Sequence, residues 1–134
     1  MAIKSTDLRR GNLITANGPA MELNSIFEDH VELYLHGSEA DNWDEDLEVC
    51  KGIPITEELL EKISPKNEDG WHYVSKTLRV CCAEVTGLCN VSMGMMETGS
   101  DEIDWFIISL PEYLHQFQNL VHSLTGEELP IKNL

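Results

Sequence analysis

Four cysteines, five histidines and one dense run of acids are the residues here whose types and spacing could do chemistry. Cys50, Cys81, Cys82 and Cys89, with His30, His36 or His72, have the donor atoms of a zinc site. Zinc sites, however, usually draw paired ligands about two to four residues apart. Only the adjacent pair Cys81-Cys82 and isolated histidines occur, and there is no C-x-x-C. A nucleophilic cysteine would need a histidine to activate it, and no local signature marks one. The run Asp41-Asn42-Trp43-Asp44-Glu45-Asp46-Leu47-Glu48 offers oxygen ligands for a divalent cation. A calcium loop wants ligands at alternate positions and a glycine at the sixth. Counting from Asp41 puts Trp43 third, and counting from Asp44 puts Val49 sixth, so neither frame fits. No G-x-S-x-G, phosphate loop or dinucleotide fingerprint is present. These patterns predict no cofactor, no metal centre and no catalytic residue, and a solvated acidic loop at 37–46.

Charge is the stronger signal. The chain of 134 residues carries a formal charge of −15. Its excess is concentrated in two segments without a single Lys or Arg. The first, Glu28 to Glu48, holds Glu28, Asp29, Glu32, Glu39, Asp41, Asp44, Glu45, Asp46 and Glu48. The second, Glu84 to Glu112, holds Glu84, Glu97, Asp101, Glu102, Asp104 and Glu112. Together they account for the whole excess, and the remainder is neutral. Duplex affinity rests on Lys and Arg neutralising phosphates, so direct nucleic-acid binding is disfavoured, as is adsorption to anionic membranes. Lys4, Arg9 and Arg10 are too few to reverse this. No stretch approaches the roughly 18 apolar residues of a membrane span. Without an export signal, the expected compartment is the cytoplasm and the cysteines are expected as reduced thiols.

The elements that must position these groups follow from periodicity. Asn12–Ala16 reads as a strand, Asn17-Gly18 as a tight turn, and 19–27 as a second strand. Glu28-Asp29 turns the chain, and Val31, Leu33 and Leu35 alternate with polar residues as in a half-buried strand. Leu47–Cys50 returns as a short strand. Thr56 is placed to cap a helix from Glu57, which Ser64-Pro65 ends. Strands are expected at 71–74, 77–85, 91–96 and 104–108. Leu110, Tyr113, Leu114, Phe117, Leu120, Val121 and Leu124 fall on one helical face. Ser109 and Glu112 suggest the start of that helix, and Gly126 its left-handed stop. The predicted class is α+β: an N-terminal barrel-like β-meander over 1–52, SH3-like in its strand spacing, then a unit over 53–134. In that second unit a short linking helix precedes an antiparallel sheet, and the C-terminal helix packs on that sheet. The two are expected to form one compact unit.

Two surfaces stand out for binding a partner. One is the acidic segment, with Glu39, Asp41, Asp44, Glu45 and Asp46 around Trp43, an aromatic that can anchor a protein contact. The other is the polar face of the C-terminal helix, with His115, Gln118, Asn119 and His122.

Two stretches carry a resemblance. The first is Leu8-Arg9-Arg10-Gly11-Asn12-Leu13, continued at Ile53-Pro54-Ile55-Thr56-Glu57-Glu58-Leu59-Leu60. The second is His115-Gln116-Phe117-Gln118-Asn119-Leu120, then Leu124-Thr125-Gly126-Glu127-Glu128-Leu129. In order and spacing they resemble a group of short uncharacterised proteins from Bacteroides-type bacteria and their prophages. Those carry L-R-x-G-N-L, I-P-L-T-E-E-x-L and H-Q-L-Q-N-L-x-x-x-L-T-G-E-E-L motifs. This chain departs at Ile55 and Phe117, and the acidic segment and central strands have no counterpart. The resemblance implies a shared fold and carries over no catalytic residue.

The expected function is a non-enzymatic protein-interaction module, associated with a mobile element, whose partner is another protein; homo-oligomers are compatible with it. One alternative is an acidic mimic of nucleic acid that occupies a basic DNA-binding protein or nuclease. Another is a small enzyme with a Cys/His site.

Overall fold

The structure, a computed structural model, describes residues 3–16, 18–35, 38–82, 89–96 and 102–131, with the backbone alone at 38–41 and 96. The class is α+β, with two antiparallel sheets and two α-helices among the described residues. The chain divides into two units, 1–54 with 113–128, and 55–112 with 129–134.

The first unit holds β1 (Leu13–Thr15), β2 (Ala20–Ile26), β3 (His30–Leu35), β4 (Ser38–Asp46) and β5 (Lys51–Gly52), in the order β4-β3-β2-β1-β5. The meander runs outward from β1 to β4. A 3-10 turn at Leu47–Val49 then returns the chain to the other side of β1, where Ile14 faces Gly52. Ile14, Met21, Leu23, Val31 and Leu33 recur at alternate positions and form the core with Ile3 and Cys50. Strand alternation puts these side chains on one face.

The acidic segment expected as a loop over 37–46 is a strand from Ser38 to Asp46; Gly37 and His36 lie outside the described residues. Its register explains the strand. Asn42, Asp44 and Asp46 stand opposite Tyr34, Glu32 and His30, while Trp43 and Glu45 stand opposite Leu33 and Val31. The period-2 pattern is real but carried by acids, which have low strand propensity. Charged residues on an edge strand also discourage pairing with other chains. The short strand expected at Leu47–Cys50 is the 3-10 turn, and the strand follows it. Of the Asn17-Gly18 turn, Asn17 lies outside the described residues.

Helix α2 (Leu114–Thr125) belongs to this first unit and packs on β1. The expectation had assigned it to the second sheet. The reason is polar. The Gln118 side chain accepts from the Leu13 amide at 2.8 Å, a β1 backbone group that a strand partner would otherwise satisfy, and donates to the Gly11 carbonyl just before the strand. The helix also starts later than Ser109-x-x-Glu112 suggested. Ser109 is paired with Val91 in the second sheet, and Pro111 holds Leu110 out of helical geometry. Gln116 instead accepts from the Tyr113 amide. Gly126 ends the helix in the left-handed conformation, φ 75°, as expected.

In the second unit α1 (Glu57–Ile63) is capped by Thr56, whose hydroxyl accepts from the Leu59 amide at 3.1 Å. The sheet is a meander of β6 (His72–Ser75), β7 (Leu78–Cys82), β8 (Cys89–Met96) and β9 (Ile103–Ser109). Residues 83–85 of the expected 77–85 strand lie outside the described residues. Helix α1 lies against β6 and β7. Leu59, Leu60, Leu78, Val80, Cys89 and Val91 are buried.

Candidate functional site

The groups singled out for chemistry are dispersed. His72 is fully buried, with Nδ1 2.7 Å from the Ser64 carbonyl and Nε2 2.8 Å from Glu57 Oε1. Glu57 is the first residue of α1 and Ser64 its C-cap, so one imidazole ties both ends of the helix to β6. Lys66 completes the cluster, 3.1 Å from the same Glu57 oxygen. The hydrogen bond from His72, with help from Lys66, holds the Glu57 carboxyl below its usual range. Both His72 nitrogens face protein oxygens, so neither is turned toward a metal or a thiol. Cys50 sits in the first core and its Sγ donates to the Asp46 carbonyl; burial pushes its thiol up to about 11. Among the described residues no histidine is hydrogen-bonded to a cysteine, and no three Cys, His, Asp or Glu side chains converge as metal ligands.

The acidic surface has a definite geometry. Asp44 and Glu32 are directly opposite across β4 and β3, an arrangement that costs stability through like-charge repulsion. At the end of these strands a concavity of about 380 Å³ is lined by Glu28, Asp29, Asp46, Leu47 and Glu48. His30 pairs there with Asp29, which raises the histidine above its usual range. Trp43 is 38% exposed, on the side of β4 that Leu33 shares. Glu45 is on that same side, and Asp44 and Asp46 on the other. Glu39 and Asp41 lie on the β4 backbone.

The polar face of α2 is largely committed inside the first unit. Asn119 accepts from Asn12 at 2.7 Å and from Arg9 at 3.2 Å, and donates to the Asp7 carbonyl. Arg9 also forms a two-pronged pair with Glu128, so it is not the free cation of a basic patch. His115 is 3% exposed and stacks on Tyr113, and burial lowers its pKa. His122 is half-buried on the last turn.

The site that sequence reasoning missed is β9. It is one of the two edge strands of the second sheet as described and carries Trp105-Phe106-Ile107-Ile108. Phe106, Ile107, Ile108 and Leu110 are exposed, as is Met95 on the adjoining β8. A bulge at Ile108 interrupts an otherwise regular pairing with β8. On one face Trp105 lies across Gly94, where an added Cβ would stand 3.1 Å from the indole and 2.4 Å from Ile103. That close approach lets Trp105 stack on the Arg79 guanidinium at 3.9 Å, with Trp71 on its other side at 4.1 Å. Tyr73 accepts from Arg79 and donates to Asp69. The stack holds β9 in place from one side, and among the described residues no strand pairs with its outer edge. A sequence signal was present: four large apolar residues in a row, preceded by Glu102 and Asp104, cannot all face one core.

No protein-family model matches this chain, and searches of curated proteins and of solved structures returned no match.

Proposed function

We propose that this chain is a non-enzymatic interaction module that takes an extended, apolar segment of a positively charged partner protein onto the edge of β9. The observation that carries this reading is the exposed edge itself. A long apolar edge strand presents unpaired backbone groups and is normally blunted or covered. Strand addition uses those groups for affinity and the alternate side chains for specificity. Charge selects the partner. Asp104 is exposed on the strand, Glu102 precedes it and the chain carries −15 in all, so a cationic partner is drawn in and a second copy is repelled. The resemblance to prophage-borne proteins supports a setting in a mobile element.

The test is photo-crosslinking with a benzophenone residue at position 107, in lysate of the host at low and high salt. The expected product is one partner, joined through an apolar segment flanked by Lys or Arg. It weakens at high salt and is lost in Phe106→Lys. Crosslinks only to a second copy of the chain, or none above a probe at position 62, would overturn the reading.

A second reading draws on the opposed carboxylates of Glu32 and Asp44: the acidic strands act as a mimic of nucleic acid. Its test is competition with duplex DNA for a basic nuclease, with Asp44→Asn restoring cleavage.

A further inference from the structure

The last pair of the β7–β8 register joins two cysteines, Cys82 opposite Cys89. Directly opposed residues in an antiparallel pair have Cα atoms about 4.5 or 5.5 Å apart, and both values lie in the range a disulfide spans. The sulfurs are already in contact, with Sγ to Sγ at 2.7 Å. Closing that gap to the roughly 2.0 Å of a bond needs side-chain rotation and no movement of either strand. The other thiols are placed differently. Cys81 is opposite Asn90 and points to the other face of the sheet, and Cys50 is in the core of the first unit.

We infer that Cys82 and Cys89 form an intrachain disulfide when the chain meets a small-molecule disulfide oxidant. Cys82 is half-exposed and reacts first, while Cys89 is 2% exposed and waits beneath it. The Cys82 thiol gives up its proton, and its sulfur attacks one sulfur of the oxidant. A mixed disulfide forms and one small thiolate leaves. Cys89 then loses its proton and attacks the Cys82 sulfur, which breaks the mixed disulfide and releases the second small thiolate. Two protein thiols are oxidised, one oxidant disulfide is reduced to two thiols, and the two protons go to those products. Burial disfavours the thiolate of both cysteines, so the step is slow compared with that of a catalytic dithiol. In forming the bond Cys89 gives up its weak contact with the Ile55 carbonyl at 3.9 Å. The crosslink pins the last pair of the β7–β8 register, next to the connection between the two strands.

The experiment incubates the reduced full chain with oxidised glutathione, blocks remaining thiols with iodoacetamide and measures intact mass and the peptides of a glutamate-specific protease, which cuts between the two cysteines at Glu84. The expected result is alkylation falling from four sites to two, with a Cys82–Cys89 linked peptide. Cys81→Ser forms the same crosslink. Cys89→Ser stops at a glutathione adduct on Cys82, and the wild-type peptide map stands on its own if that variant does not fold. Four alkylated cysteines at every oxidant concentration, a bond through Cys81, or a crosslink only between chains would overturn the inference.

Discussion

Replacing His72 tests how the second unit is held together. In His72→Leu the imidazole is lost from a site with 0% exposure, and the two hydrogen bonds that span α1 go with it. The bond to Glu57 is charge-assisted and worth about 1.5–3 kcal/mol, and the bond to the Ser64 carbonyl about 1 kcal/mol. Glu57 is 42% exposed and recovers water when its partner is removed, which places its share at the low end. Leucine returns some apolar burial. The expected net loss is about 2 kcal/mol. Glu57→Gln keeps a neutral acceptor near Nε2 and costs about 1 kcal/mol. The assay is urea unfolding followed by tryptophan emission in a Trp43→Phe background, so that only Trp71 and Trp105 of the second unit report. The midpoint should fall with little change in slope. The pH dependence has a fixed sign. Glu57 is held below its ordinary pKa in the folded chain. Its contribution is present above the unfolded carboxylate pKa of about 4.3 and is lost as pH falls through the depressed folded value. The gap between wild type and Glu57→Gln should therefore close in acid. A His72→Leu midpoint indistinguishable from wild type, or a gap that widens in acid, would refute the clamp.

Gly94→Ala puts a methyl group into the Ile103 side chain and against the Trp105 ring, which displaces Ile103 and shifts the indole on Arg79. The expected cost is about 1–3 kcal/mol, together with loss of the near-UV circular dichroism of the stacked tryptophans. An unchanged spectrum would mean the ring does not lie there. Gln118→Ala leaves the buried Leu13 amide without an acceptor, at a cost of about 1–3 kcal/mol. The Leu13 amide should then exchange with deuterium much faster, and unchanged protection would deny the bond.

How far the fold could be read from residues depended on what carried the pattern. Thr56 and Ser64-Pro65 bracket α1 as expected because capping is a local matter, settled within four residues. Gly126 is the same case. The β2 and β3 strands were legible because apolar residues marked their alternation. In β4 the alternating residues are acids on both faces, so a strand made by its register with β3 looked like a loop. The acidic surface was therefore visible in composition, whereas its geometry was not. The polar face of α2 misled for a related reason. Gln118 and Asn119 look like solvent-facing residues until β1 is laid beside them. His72 acts through partners eight and fifteen residues away, and no spacing rule links them. The edge position of β9 is a property of sheet order, which local pattern does not encode.

The first unit is discontinuous: residues 1–54 are completed by 113–128, and the whole second sheet lies between. Pro54 and Tyr113 form an antiparallel bridge, and Leu114 donates to Ile53 beside it. During synthesis this arrangement imposes an order. The Leu13 amide must wait 105 residues for the side chain of Gln118, by which time β6 to β9 have all been made. The meander that emerges first is thus finished last. Any factor meeting the nascent chain finds the helix-binding side of β1 open throughout the making of the second sheet.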